Sequence, residues 1–567
     1  MRRVVIIGNS LAAAKVATRY KRNDFAVEVN IIVPAEQESG KGPFATAYAQ
    51  TRANAEFLAM RDLGVVEAHD ISIDFDAKTV FPISTRGRIS IRYNDLILAL
   101  DAQPRIPRIL RKADNVFAWP SDQGVKIDAM LDYVEEGTAD QSSDDAEKRV
   151  VIVGQGEAAL EALALVAACG QVPVWVRTSD MGPATFDAML WQKAMAMAEA
   201  SGVEVYDWSH APVEKLVTKC DEAGKLQSLA LNGYEISGDV FLWTGPCMVQ
   251  HPVVAEEGVS LDARGRIVVN NDLSTALEGV YMLGTGIAMQ SKNGCPMVSR
   301  ADILGLARSL ADNLANGANL DLAGEDGTQN VSPNAQNTSS TATAAMPACL
   351  GTMYADSLGF SMSRSGMCLA RAAERDVAVE FALVPLGKEF GNGILQLVAG
   401  KGAKTMLGYQ IVASAETVAL LAPALSIAVE QHLSVADFAR MTLIGQAGQV
   451  LRKAACILDN KLAERIYGVT PEELIASREA GAEFFVLDLR SLPEWKAGHI
   501  EGAYNIPFAQ LGKRLQDEVP RYTTIVLACN RGSQSWSVAS KMRGLGATSL
   551  YVLDGGMECW NLDLVEG

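Results

Sequence analysis

Two short, wholly apolar runs end on glycine in this chain, Val4-Val5-Ile6-Ile7-Gly8 and Val150-Val151-Ile152-Val153-Gly154. A helix-period pattern follows each at once, reaching Tyr20 in the first case and Ala168 in the second. A run without polar alternation predicts a strand buried on both faces, as in a parallel sheet. Each unit is followed by another apolar strand, Val27 to Val33 and Val172 to Val176. The pattern predicts two βαβ halves of the nucleotide-binding type, in tandem.

The pattern then changes. Residues 328–345 are almost all Thr, Ser, Asn, Gln and Ala, which cannot bury enough apolar surface to order themselves, so a flexible linker is expected over 326–345. Beyond it, Val377 to Val384, Ile394 to Val398 and Met406 to Val412 read as strands, and Glu416 to Gln431 as an apolar helix. Together they predict a compact α+β domain. A last unit, about 468–567, contains the β-rich run Thr523 to Ala528, then Cys529-Asn530-Arg531-Gly532-Ser533-Gln534, then a helix pattern on Val538, Ala539, Met542 and Leu545.

Composition narrows the function. A chain of 567 residues is expected to hold roughly three to four domains. Its 67 acidic against 50 basic residues give a net charge of -17, which argues against a nucleic-acid partner. No uncharged apolar run reaches the ~18 residues of a membrane span, and no signal peptide precedes the first strand, so a soluble cytoplasmic protein is expected. The nine cysteines are scattered without a C-x-x-C pair, so neither zinc nor an iron–sulfur cluster is expected.

Among those cysteines Cys529 sits where chemistry would need it, between a strand and a helix start. Such a loop turns successive N–H groups and the positive end of a helix dipole toward one spot, which favours a thiolate or persulfide. Upstream lie Val486 to Arg490, Glu494 to Ala503 and Asn505-Ile506-Pro507; downstream lie Val552-Leu553-Asp554-Gly555-Gly556 and Trp560. These motifs, in this order, closely resemble the rhodanese family. The resemblance implies a small parallel α/β domain whose cysteine carries sulfane sulfur. Asp488 and Arg490 are expected to fix loops by charge-assisted hydrogen bonds, and His499 to do the same. Arg531 and Gly532 complete the loop. Where the family's Cys-x-x-Gly-x-Arg loop has its arginine, this chain has Gln534. That loss disfavours small anionic donors such as thiosulfate more than transfer from another persulfide, and Arg531 is left as the cation within the loop.

The second glycine motif, Gly154-Gln155-Gly156-Glu157-Ala158-Ala159, is a full G-x-G-x-x-A in the confirming strand–helix context. Where an acid would grip an NAD ribose, at the end of the next strand, stands Arg177. The site therefore prefers NADP or no longer selects a nicotinamide cofactor. The order of elements resembles the flavin-dependent pyridine nucleotide-disulfide oxidoreductases. More narrowly it resembles coenzyme A-disulfide reductases and NADH-dependent persulfide reductases with a C-terminal rhodanese domain. The expected fold class is α/β: tandem doubly wound FAD/NAD(P)-type domains, an α+β dimerisation domain and a rhodanese-like domain. The limits that go with it are 1–111 with 241–325 for a split FAD-type domain, 112–240 for the NAD(P)-type domain, 346–456 for dimerisation and 468–567 for the rhodanese-like unit. A homodimer acting on persulfide, polysulfide or coenzyme A disulfide-like compounds is implied, with FAD and NAD(P)H as cofactors.

The flavin half departs from the family's pattern. In Gly8-Asn9-Ser10-Leu11-Ala12-Ala13, Ser10 replaces the glycine that admits the FAD pyrophosphate. The ribose acid aligns with Ala35, with Glu36 one place late; the family's Ala-Thr-Gly reads Ala99-Leu100-Asp101; and Thr285 follows Gly284 where an aspartate holds the ribityl chain. The redox cysteine aligns with Ala47 in Pro43 to Tyr48, and no cysteine precedes Cys169. The family's thiol-exchange route is thereby excluded in its usual form. The family's partner-reaching tyrosines are also missing from Leu443 to Gly448. Three readings follow: an FAD- and NAD(P)H-dependent reductase whose reducible sulfur is delivered by Cys529, a sulfurtransferase or sulfur carrier on a redox-inactive scaffold, and a regulatory subunit.

Overall fold

The structure is a computed structural model that describes residues 2–8, 10–34, 63–119, 148–178, 186–209, 215–231, 233–245, 247–249, 259–262, 265–289, 300–323, 350–520, 522–544, 546–547, 549–560 and 562–566. The chain divides into two compact units, Met1–Pro183 with Ala198–Leu358, and Ala184–Met197 with Gly359–Gly567.

The first unit holds two parallel sheets, as the uninterrupted apolar runs require. In one, the strand order is Val280–Leu283, Asp95–Ala99, Arg3–Ile7, Glu28–Pro34, Gly64–Ala68. Val4 to Ile7 are buried beneath the helix Leu11–Asn23. That helix packs on Arg300–Ala323, where Arg19 grips Asp312 through two hydrogen bonds of 2.6 and 3.1 Å and the buried Tyr20 donates to Leu314 O at 3.3 Å. Segments nearly three hundred residues apart thus build one layer. In the second sheet the order is Val116–Ala118, Val240–Trp243, Arg149–Val153, Val172–Thr178, Glu204–Trp208. Val240 to Trp243 are buried between two neighbouring strands, so this strand belongs wholly to the second sheet. A limit at 240/241 would cut it; the chain leaves the sheet only after Trp243.

In the second unit the strands Ser361–Gly366, Met406–Ala413, Ile394–Gly400 and Val379–Pro385 pair antiparallel in that order. The helices Ala415–Glu430 and Gly445–Leu462 accompany them. The second helix runs past the expected limit at 456, because Ile457, Leu458 and Leu462 continue its buried stripe. Asp187, from a segment far upstream, accepts from the backbone N–H groups of Leu369 and Ala370 at 3.1 and 3.0 Å, filling the open start of the helix Leu369–Glu374. The last sheet is parallel, ordered Tyr467–Val469, Leu550–Leu553, Thr524–Ala528, Phe484–Asp488, Tyr504–Asn505. Thr524–Ala528 lies at its centre, so the chain leaving it emerges at mid-sheet, where ligands bind in open α/β folds.

Candidate functional site

Cys529 follows the central strand directly and is 1% exposed. Its carbonyl accepts from Met557 N at 2.9 Å, and that of Asn530 from Glu558 N at 3.0 Å. Gly532 takes φ +75, which only glycine adopts cheaply, and its carbonyl accepts from Trp536 N at 3.0 Å as the helix Ser533–Gly544 starts. A side chain at Gly556 would overlap Cys529 O, so the second glycine of Asp554-Gly555-Gly556 is what lets this turn back the cysteine loop. Gln534 lies in the first turn of the helix.

Around the loop the polar side chains are engaged. The Asp488 carboxylate receives the Arg490 guanidinium at 2.7 to 3.1 Å, both buried, and Arg490 Nη2 also donates to Gly498 O at 2.7 Å. The pair is therefore a clamp on the strand beside Ala528, whose Cα faces Asp488. His499 stacks on Trp495 at 3.8 Å and its Nδ1 lies 3.1 Å from Trp495 O, a structural place. Glu494 accepts from Asn530 Nδ2 at 2.8 Å; Ser491 and Asn530 hold its carboxyl below the usual range. Arg531 donates from Nε to Glu558 at 2.6 Å. The expected loop cation is thus half-neutralised.

The preceding α+β domain is packed against this site. Lys461 Nζ donates to Asp554 at 2.8 Å and pairs with Glu380 at 3.1 Å. Burial pushes the Asp554 carboxyl up to about 6 against the pull of Lys461, whereas the two carboxylates hold Lys461 charged. A side chain at Gly555 would press on Leu383 at 2.9 Å.

The two glycine motifs differ at the helix start. Gly154 has φ +136 and no room for a Cβ beside Thr244 Oγ1, while Gly156, at φ +85, faces open space and leaves the N-terminus of the helix Glu157–Ala168 without a side-chain cap. Ala159 is fully buried within that helix. In the first motif Gly8 lies against Ala99 O, but the Ser10 hydroxyl accepts from Ala13 N at 3.2 Å and caps the helix itself. Gly284 closes on Leu100 O. Beside it, Thr285 N donates to Asp101 at 2.9 Å, the Thr285 hydroxyl lies 3.0 Å from the same oxygen, and Ala102 N donates to that hydroxyl at 3.1 Å. Arg177 meets Asp207 at 3.2 and 3.1 Å and Ser209 Oγ at 2.6 Å.

Glu36, the stretch around Ala47 and the segment 326–345 lie outside the described residues. Glu558 and Ser535 escaped the sequence reading. Glu558 stands between Gly556 and Trp560, where no local signal marks it as the partner of Arg531; Ser535, two residues into the helix, is fully buried with its hydroxyl unpartnered. Among the described residues no carboxylate, cysteine and histidine cluster fits a metal, and no helix is long and apolar enough to cross a membrane.

A model of the pyridine nucleotide-disulphide oxidoreductase family matches residues 2–301, and one of the rhodanese-like domain matches 470–563. Over 95 residues the chain is 36% identical to thiosulfate sulfurtransferase GlpE of Pseudomonas fluorescens, covering 16% of this chain and 82% of that protein. It is similar in fold to a NAD-dependent persulfide reductase from A. fulgidus, with a TM-score of 0.77 and 21% identity over 98% of this chain and 100% of that one. It is also similar to reduced CoADR-RHD of Bacillus anthracis, with a TM-score of 0.79 and 18% identity over 99% and 97%. The family implies FAD and NAD(P)H. The described residues fit the nicotinamide nucleotide, whose pyrophosphate suits the uncapped helix start at Gly156. They do not fit FAD in the family's manner, since Ser10 caps its own helix and Asp101 and Thr285 bond each other. By sequence and fold together, this chain belongs to the pyridine nucleotide-disulphide oxidoreductases and carries a rhodanese-like domain at its C-terminal end.

Proposed function

We propose that the chain is a sulfur-handling enzyme whose Cys529 carries sulfane sulfur as a persulfide. The observation that carries this reading is the Cys529 loop, which leaves a central parallel strand and enters a helix N-terminus through Gly532. In the loading step the Cys529 thiolate attacks the outer sulfur of a small persulfide, the donor's S–S bond breaks, and the donor leaves as a thiolate. An acceptor thiolate then attacks the outer sulfur on Cys529, taking it as a new persulfide and returning the Cys529 thiolate. Neither step changes the total oxidation state. The pairing of Arg531 with Glu558 favours a persulfide over dianionic thiosulfate as donor, because the loop offers little net positive charge.

A reductase reading has its own support in the open cradle of Gly154 and Gly156, which we assign to NAD(P)H together with Ala159. The domain limits expected above, with the second sheet extended to Trp243, go with both readings. The homodimer is supported by apolar side chains left in solvent on the α+β domain, with Leu420, Ile427 and Ile444 at 62%, 59% and 87% exposure. Free cysteines throughout the described residues accord with a cytoplasmic setting.

The test is mass spectrometry of the intact protein after exposure to glutathione persulfide. One added sulfur on Cys529, absent in Cys529→Ala, is expected. Wild-type protein that takes up no sulfur overturns the carrier reading. Oxidation of NAD(P)H dependent on a persulfide substrate, lost in Gly156→Val, would establish the reductase reading beside it.

A further inference from the structure

We propose that Asp207 decides which nicotinamide nucleotide this chain takes: by holding the Arg177 guanidinium it denies a 2′-phosphate its cation, and the site selects NADH. The inference rests on the assignment of the Gly154 and Gly156 turn to NAD(P)H. It is carried by the geometry at the carboxyl ends of two neighbouring strands.

Val172–Thr178 runs between Arg149–Val153 and the edge strand Glu204–Trp208. Gly154 N donates to Val176 O at 2.9 Å, and the buried Trp175 indole donates to Gly154 O at 3.0 Å. The glycine turn is thus tied to the two residues that precede Arg177. In doubly wound folds the end of this second strand is where the adenosine ribose is read, and an arginine there suits a 2′-phosphate.

Here that arginine is engaged. Arg177 and Asp207 are register partners on the two parallel strands, so their side chains leave the sheet on the same face. Arg177 Nε and Nη2 donate to the two Asp207 oxygens at 3.2 and 3.1 Å, and Nη2 donates again to Ser209 Oγ at 2.6 Å. Ser209 N donates to Asp207 Oδ1 at 2.9 Å and fixes the carboxylate. Burial works against ionisation of Asp207, but Ser209 and Arg177 outweigh it and keep its carboxyl below the usual range. The Arg177 side chain is 10% exposed and that of Asp207 31%, so the more open member of the pair is the anion. A 2′-phosphate brought to it meets like charge; a 2′-hydroxyl meets an acceptor to which it can donate.

The test is titration calorimetry of the full-length protein with NADH and NADPH, which reads binding and not turnover. Wild type is expected to bind NADH at least as tightly as NADPH. Asp207→Asn keeps the side-chain shape and removes the charge; the ratio of NADPH to NADH affinity should rise about tenfold, the worth of one hydrogen bond to a charged group. That gain should vanish when Arg177→Met is added, because it passes through the guanidinium. Glu204→Gln, at the opposite end of the same strand, should leave the ratio in place. If Asp207→Asn fails to fold by circular dichroism, Asp207→Ser serves in its place. A ratio unmoved by the Asp207 variants, with both nucleotides bound, overturns the inference and leaves the nucleotide assignment standing. Binding of neither nucleotide to wild type or variant overturns the assignment, and the inference with it.

Discussion

Lys461 and Asp554 meet at 2.8 Å with both side chains buried, one on the last helix of the α+β domain and the other at the turn behind Cys529. Breaking such a pair from one side leaves an uncompensated buried charge, which costs about 3–5 kcal/mol. Lys461→Met is therefore expected to destabilise the second unit by that amount in urea unfolding. The double variant Lys461→Met with Asp554→Leu should recover much of the loss, because it buries no charge. A single variant as stable as wild type would show that the pair contributes nothing.

Arg531 and Glu558 pair at the surface beside the Cys529 loop, and on the carrier reading their pairing should set donor preference. Glu558→Gln frees the guanidinium for an anion, so thiosulfate turnover should rise several-fold relative to turnover of glutathione persulfide. Steady-state rates with the two donors check this; an unaltered ratio would remove Arg531 from donor recognition.

At the second glycine motif, Gly154→Ala forces a Cβ onto Thr244 Oγ1 at a φ of +136 and should lower Tm. Gly156→Ala meets no atom and should cost only about 1 kcal/mol of backbone strain. Because Arg177 is occupied by Asp207 and Ser209, NADPH should bind no more than tenfold more tightly than NADH. Titration calorimetry with both nucleotides decides it.

The flavin motif makes an opposite forecast. Purified protein is expected to be colourless and to take up little added FAD. The triple variant Ser10→Gly, Asp101→Gly, Thr285→Asp, which undoes the helix cap and the crossed bond, should increase uptake, read as flavin absorbance after gel filtration. Tight FAD binding by wild type would show that the pyrophosphate displaces the Ser10 cap.

Among the thiols outside the Cys529 loop, reactivity should divide by burial. Desolvation pushes Cys368 up to about 11 and Cys559 up to about 12. A raised thiol pKa lowers the thiolate fraction at every pH below it, by about tenfold per unit. At pH 8 both should therefore resist iodoacetamide, while the exposed Cys220 and Cys456 react first. Rapid labelling of Cys559 in folded protein would contradict the packing at Gly555.

Much of the architecture was legible because buried parallel strands write themselves as uninterrupted apolar runs. Val4 to Ile7, Val150 to Val153 and Thr524 to Ala528 each proved to be interior strands, and the strand–loop–helix setting of Cys529 is as local pattern reads it. Local pattern was silent where partners come from afar. Nothing near Asp101 announces Thr285, and nothing near Asp554 announces Lys461, since each bond joins segments many residues apart. Domain limits erred for the same reason: Val240–Trp243 looks like any apolar strand, and only its two neighbours say which sheet owns it.

By itself the chain determined its elements, its family and the strand–helix setting of Cys529, because these depend on residue order within a few turns. Tertiary structure decided the electrostatics. Whether Arg531 is a free cation, whether Arg177 can grip a phosphate, and whether Asp554 has a counter-charge are questions of which charges share a low-dielectric neighbourhood. Folding, not sequence spacing, brings those charges together.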